Sequence, residues 1–360
     1  MLKLLILILL RVVYVLSDDV NIDDLFTIQT GSANGGCNAR VNPVNILDDW
    51  HQEAIDSITT AISAIEKYNQ GDKDGERVRN ALFDFFKIPT AIPKDKSKLK
   101  PLVQKVSDNL KHVEEWFSGE NKGVDKDSTY LFCDSTYLAQ KDPNTDTAQD
   151  YLGKDIIANG EPVPISGVAV YANDLKRGNV PWWAGDHTNI NGYYFTSPNS
   201  GGNYCAQKNF GLTSTLRTLK QDANGIPVES SDVVSNVVLC PYAFDNDVQK
   251  NSYKEAVLTI SEGTSLEDAV PKSTTLLHEA FHLVLGSGST GFLEGNSEIY
   301  GLAKCIEAAM KNAVGVARKN PENYVFFTAA MYYLFGDKSE GVITTNWDFT
   351  NGPDKAKTVS

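Results

Sequence analysis

The chain has 360 residues, 41% of them hydrophobic and 22% charged. That is an ordinary globular balance, with room for one large core, and it excludes a disordered chain. Against 46 Asp and Glu stand 33 Lys and Arg, a formal charge of -13, which argues against a nucleic-acid partner and against an anionic membrane surface.

Met1-Leu-Lys3 is a short basic start, followed by an aliphatic run from Leu4 to Leu10 that continues past Arg11 to Leu16. Val15 and Ser17 occupy the small-residue positions of a processing site, so residues 1–17 read as a secretory signal peptide and the mature protein as extracellular. The run is too short, and too interrupted by Arg11, for a membrane anchor. All five cysteines (Cys37, Cys133, Cys205, Cys240, Cys305) follow it. An oxidising compartment pairs four of them and leaves one over. No C-x-x-C occurs, so a cysteine zinc site is not expected.

Residues 18–36 form a short polar arm or pro-segment remnant ending in Gly31-Ser-Ala-Asn-Gly-Gly36. Apolar residues then recur at helical spacing over 46–68 (Ile46, Trp50, Ala54, Ile58, Ala61, Ile65), and further helices are expected over 78–86 and 99–117. Between the last two, Pro89 and Pro93 mark a loop. The middle of the chain carries β-type runs at 130–133, 167–171 and 237–240. The aromatic-rich stretch 179–203 holds Trp182, Trp183, Tyr193 and Tyr194, with His187 at its edge. It either lines a cleft or covers a sheet. Helices return over 273–285, 297–316 and 321–335, and residues 338–360 read as a polar, loosely ordered tail. Helices, a few strands and helices again imply a single α+β domain over 37–337.

The chemistry concentrates in Leu277-His278-Glu279-Ala280-Phe281-His282-Leu283. Nearly every other residue of this helix is apolar, so the helix must be buried, and buried polar side chains need partners. Residues i and i+4 share one helical face, so His278 and His282 reach a single ion. Glu279 lies beside them as the general base of a zinc-activated water. A catalytic zinc takes a third protein ligand. No histidine follows His282, which leaves Glu294 and Glu298. A helix starting at Asn296 or Ser297 would place Glu298 in an ordered first turn, which favours it. Tyr300 is a candidate hydrogen-bond donor to a tetrahedral oxyanion, with core packing as the alternative. His51 and His112 read as structural or exposed, and Tyr324 as core.

Four stretches together resemble the deuterolysin-type aspzincins and related fungal secreted peptidases, which include lysine-specific metallo-endopeptidases. They are Val237-Val-Leu-Cys240-Pro241-Tyr-Ala-Phe244, Thr274-Thr-Leu-Leu-His278-Glu279-x-x-His282, Tyr300-Gly301 with the helix after it, and Asn320-Pro-Glu-Asn-Tyr324. The family takes its third ligand from an Asp three residues before Tyr-Gly, where this chain has Ser297. The resemblance implies a zincin-like fold and one Zn2+ ion held by His278 and His282, with Glu298, one residue past Ser297, or Glu294 standing in for the family's Asp. It also implies a monomeric endopeptidase acting on proteins or peptides. The alternative is a secreted zinc-binding or interaction protein that keeps the fold without activity.

Overall fold

The apolar periodicity of the first third becomes three long helices: α1 (Ile46–Glu66), α2 (Lys73–Phe86) and α3 (Lys100–Phe117). The Asn45 side chain accepts from Asp48 N to start α1, and Asp72 does the same from Gly75 N for α2. Both satisfy amides that a helix start leaves unpaired. The computed structural model describes residues 20–91, 99–120, 122–196, 204–232, 234–286, 298–311, 314–336 and 345–359. The expected signal segment and Glu294 lie outside the described residues.

The main sheet has four strands in the order β1 (Thr27–Ile28), β2 (Thr129–Phe132), β7 (Val234–Leu239), β6 (Gly211–Leu216). The pairs β1–β2 and β2–β7 are parallel, and β7–β6 is antiparallel. A second layer is built from β3 (Ala139–Gln140), β4 (Val180–Trp183) and β5 (Tyr193–Thr196), all antiparallel. Period-two alternation explains the layering. Val237 and Leu239 pack into the helical core, while Val238 and Cys240 join Trp182 and Leu216 on the other face. Trp182 therefore covers the sheet, whereas Trp183 packs with Tyr171 and Tyr193 in a separate cluster, and His187 is exposed.

Three helices complete the helical layer: α4 (Thr274–Leu285), α5 (Leu302–Met310) and α6 (Pro321–Phe335). Nearly all of α4 and α6 is buried, and each core Leu or Phe on them contributes about 1.5–3 kcal/mol relative to exposure. Tyr324 on α6 is in the core, bridged to Asn109 of α3 through its hydroxyl. His51 is buried against Phe117 O, and His112 is exposed.

Four expectations need correction. Residues 18–36 are not a loose arm from Val20 onward: Ile22, Leu25 and Phe26 are buried, and β1 is paired. Residues 167–171 form 3-10 turns rather than a strand, because Val168 and Tyr171 reach their core through a tight turn as readily as through alternation. The helix expected over 297–316 begins only at Leu302, since Gly301 sits at φ 86 and caps it. Residues 345–359 are no loose tail either. Trp347, Phe349 and Ala356 enter the helical core, where β8 (Trp347–Asp348) pairs with β9 (Lys357–Thr358) and Asp348 accepts from Arg77 of α2 at 3.0 Å.

Two disulfides form, Cys37–Cys133 and Cys205–Cys240, and Cys305 is a buried free thiol. With sequence separations of 96 and 35, each restricts the unfolded chain by about 4–5 kcal/mol of loop entropy. Such bonds persist in an oxidising environment. Among the described residues no helix is long and apolar enough to cross a membrane.

Candidate metal centre

The buried helix α4 presents His278 and His282 on one face, their ring centroids 5.2 Å apart. Glu298 meets both: its Oε1 lies 2.9 Å from His278 Nε2 and 2.9 Å from His282 Nε2. These three side chains are the metal-competent group found among the described residues, with their ligand atoms within 4.8 Å of one another. Donor atoms around a tetrahedral zinc lie roughly 3.3 Å apart, so an ion would need Glu298 to draw back from each histidine by only a few tenths of an ångström. Two imidazoles and one carboxylate are a donor set that zinc accepts, with a fourth position left for water or substrate. The residues present fit the ion.

Glu298 is not held by a helix of its own. It opens the irregular stretch 298–300, which is clamped from α6: Asn320 accepts from Ile299 N at 3.1 Å and donates to Ile299 O at 2.9 Å. Asn320 also donates to Asn323 at 2.8 Å, and Asn323 to Phe85 O of α2 at 2.8 Å. The position of the carboxylate is thus inherited from the start of α6. Tyr300 stacks its ring on His278 at 5.7 Å and donates from Oη to Glu298 Oε2 at 2.6 Å, so its hydroxyl orients the carboxylate.

Two partners escaped the sequence reading. Glu322, in the first turn of α6, takes a hydrogen bond from His278 Nδ1 at 3.0 Å. A carboxylate on one ring nitrogen fixes the tautomer and aims the other nitrogen at the ion. Pro321-Glu322 opening an apolar helix is the signal that marks it, since an acid in the first turn of a buried helix must find a partner. Thr213 on β6 donates to Glu279 Oε2 at 2.7 Å. Gly211, also on β6, leaves the carboxylate its space, because a Cβ there would collide with Glu279 Oε1. That pairing depends on tertiary register, and nothing local announces it.

Three carboxylates and two imidazoles share this buried volume, which leaves it short of positive charge without a cation or protons. Burial works to lower the His278 pKa, but hydrogen bonds to Glu298 and Glu322 and their charge outweigh it and hold the imidazole well above its usual value. For Glu298, burial is likewise outweighed, and the two imidazoles hold its carboxyl well below the usual carboxylate range. Burial raises the Glu279 carboxyl, against the opposing pull of His278, His282 and Thr213. A base shifted upward in this way is better matched to proton transfer at neutral pH.

Glu298, which the sequence favoured on the ground of a helical first turn, does lie with the histidines, but on a clamped loop. Comparison with protein-family models, with curated proteins and with solved structures finds no match to this chain.

Proposed function

We infer that the chain is a secreted zinc metallo-endopeptidase of zincin-like fold. One observation carries the reading: His278, His282 and Glu298 converge on one point, while Glu279 on the same helix lies against Gly211 and Thr213 of β6. A zinc ion bound there would polarise the scissile carbonyl and lower the pKa of water to about 7. His278, aimed by Glu322, and His282, with Glu298 oriented by Tyr300, would hold the ion. Glu279, steadied by Thr213, takes the proton of the attacking water and delivers it to the leaving amine. Secretion fits the N-terminal apolar run and the two disulfides.

The test is zinc content of the purified protein together with casein hydrolysis by wild type and Glu279→Gln. Stoichiometric zinc, with activity abolished in the variant, is the expected result. Stoichiometric zinc without hydrolysis by wild type would favour a zinc-binding protein, a reading that Ser297 in place of the family's Asp keeps in view. Absence of zinc from protein never exposed to chelator would overturn both.

A further inference from the structure

Helix α4 begins without the side-chain cap its sequence offers. Ser273 stands at the N-cap position, where a serine hydroxyl commonly accepts from the first turn, yet it makes no such bond. The tight turn before the helix satisfies those amides instead. Thr274 N donates to Pro271 O at 3.2 Å, Thr275 N to Lys272 O at 3.0 Å and Leu276 N to Ser273 O at 3.1 Å. The Ser273 hydroxyl turns outward and meets Glu53 Oε2 of α1 at 2.5 Å. The other oxygen of that carboxyl accepts at 3.0 Å from Tyr253 N, the first amide of the short helix Tyr253–Val257. One side chain thus ties α1 to the starts of two helices, and His278 lies little more than one turn along the second of them.

Other ionisable groups face Glu53 from each element around it. Asp49 and Asp56 stand one turn before and one turn after it on α1. The short helix brings Tyr253, and α6 brings Tyr332 and Tyr333, whose rings pack edge-on against Tyr253. Burial holds the phenols of Tyr253 and Tyr333 well above their usual pKa, so they carry no charge. Lys272, just before Ser273, directs its ammonium to Phe244 O at 2.8 Å and to Asn251 Oδ1 at 2.9 Å.

We propose that Glu53 is a positioning residue for the metal centre: acting through Ser273, it seats the first turn of α4 on α1 when neutral and releases that turn when ionised. The inference rests on the reading of α4 as the metal-binding helix and adds a pH-dependent control to it. Neutral Glu53 donates its proton to Ser273 Oγ and accepts from Tyr253 N, so both oxygens are satisfied. The ionised form keeps two donors but stands with Asp49 and Asp56 in a site that withholds water. Burial, with those two charges adding to it, brings the carboxyl to about 7 against the pull of its hydrogen bonds. Withdrawing the first turn of α4 would let water reach the carboxylate, and a helix end opens most cheaply because few bonds break with it. His278 would then lose its fixed place beside Glu298 and Glu322.

Zinc is the probe, in chelator competition on the full chain. Wild type is compared with Glu53→Gln, which keeps both hydrogen bonds and cannot ionise. Their dissociation constants should agree within twofold at pH 6, and wild type should bind about tenfold more weakly at pH 8.5. Global stability alone would not move this ratio, since it is measured on folded protein. In a Ser273→Ala background the pH-dependent difference should vanish, because the path to α4 is gone. Amide exchange on zinc-free protein reads the same release without metal: at pH 8.5, Thr275 and Leu276 should exchange about tenfold faster in wild type than in Glu53→Gln. A ratio of dissociation constants that stays the same from pH 6 to 8.5 would overturn the role of Glu53 and leave the zinc site standing. Failure of both proteins to bind zinc would overturn the metal reading itself, and equal exchange at Thr275 and Leu276 would then overturn the release of α4 as well.

Discussion

Replacing Glu53 by Gln probes a buried charge beneath the helix that carries His278. Glu53 projects from α1, accepting from Ser273 Oγ at 2.5 Å through Oε2 and from Tyr253 N at 3.0 Å through Oε1. Ser273 is the residue from which α4 begins. Burial, aided by the charges of Asp49 and Asp56, raises the Glu53 carboxyl from 4.5 to about 7 despite those two hydrogen bonds. At about 1.4 kcal/mol per pH unit, the folded state favours the neutral carboxyl by about 3 kcal/mol relative to the unfolded chain. Because the folded pKa is the higher one, the contribution is fully present below pH 4.5 and is lost as pH rises through 7. Above that, folding buries an ionised carboxylate. Gln keeps the shape and both hydrogen bonds, since the Ser273 hydroxyl can reverse its direction, and it never ionises. In urea unfolding, Glu53→Gln should match wild type near pH 4.5 and exceed it by about 2–3 kcal/mol at pH 8. A difference between the two proteins that does not change with pH, or a Gln variant weaker at pH 8, would refute the reasoning.

Glu322→Gln should weaken zinc binding about 10–100-fold in chelator competition, because a neutral amide orients His278 Nδ1–H less strongly. The melting temperature of the zinc-free protein should change far less. Zinc uptake should release protons at pH 7, since His278 holds its proton well above the usual imidazole value and must yield it to the ion. Calorimetry in two buffers of different ionisation enthalpy reads the number released, and zinc affinity should rise with pH. Thr213→Val removes a donor that lowers the Glu279 pKa, so the acid limb of the pH–rate profile should move to higher pH. An unchanged limb would show that Thr213 does not tune the base.

The His278–His282 helix was legible because its determinants are local: an i, i+4 pair and apolar residues on every side. The long helices of the first third were legible for the same reason. Glu298 was harder, since its stretch has no periodicity and its placement comes from Asn320, about twenty residues downstream. Thr213 and Gly211 depend on how β6 registers against β7 and α4, which no local pattern encodes. Residues 345–359 misled through their polarity. The three apolar residues they place in the core, Trp347, Phe349 and Ala356, are too sparse to show a period.

The clamp that Asn320 places on Ile299 would tie metal affinity at this centre to the docking of a whole helix. Glu298 can stand beside the histidines only while α6 is seated, and Glu322 reaches His278 from the same turn. An ion bound there would hold α6 against α4, and through Asn323 and Phe85 it would steady α2 as well. By mass action, free zinc at about a thousand times its dissociation constant would stabilise the native state by about 4 kcal/mol. Chelation would then loosen the helical layer, and proteolytic sensitivity should appear at the start of α6.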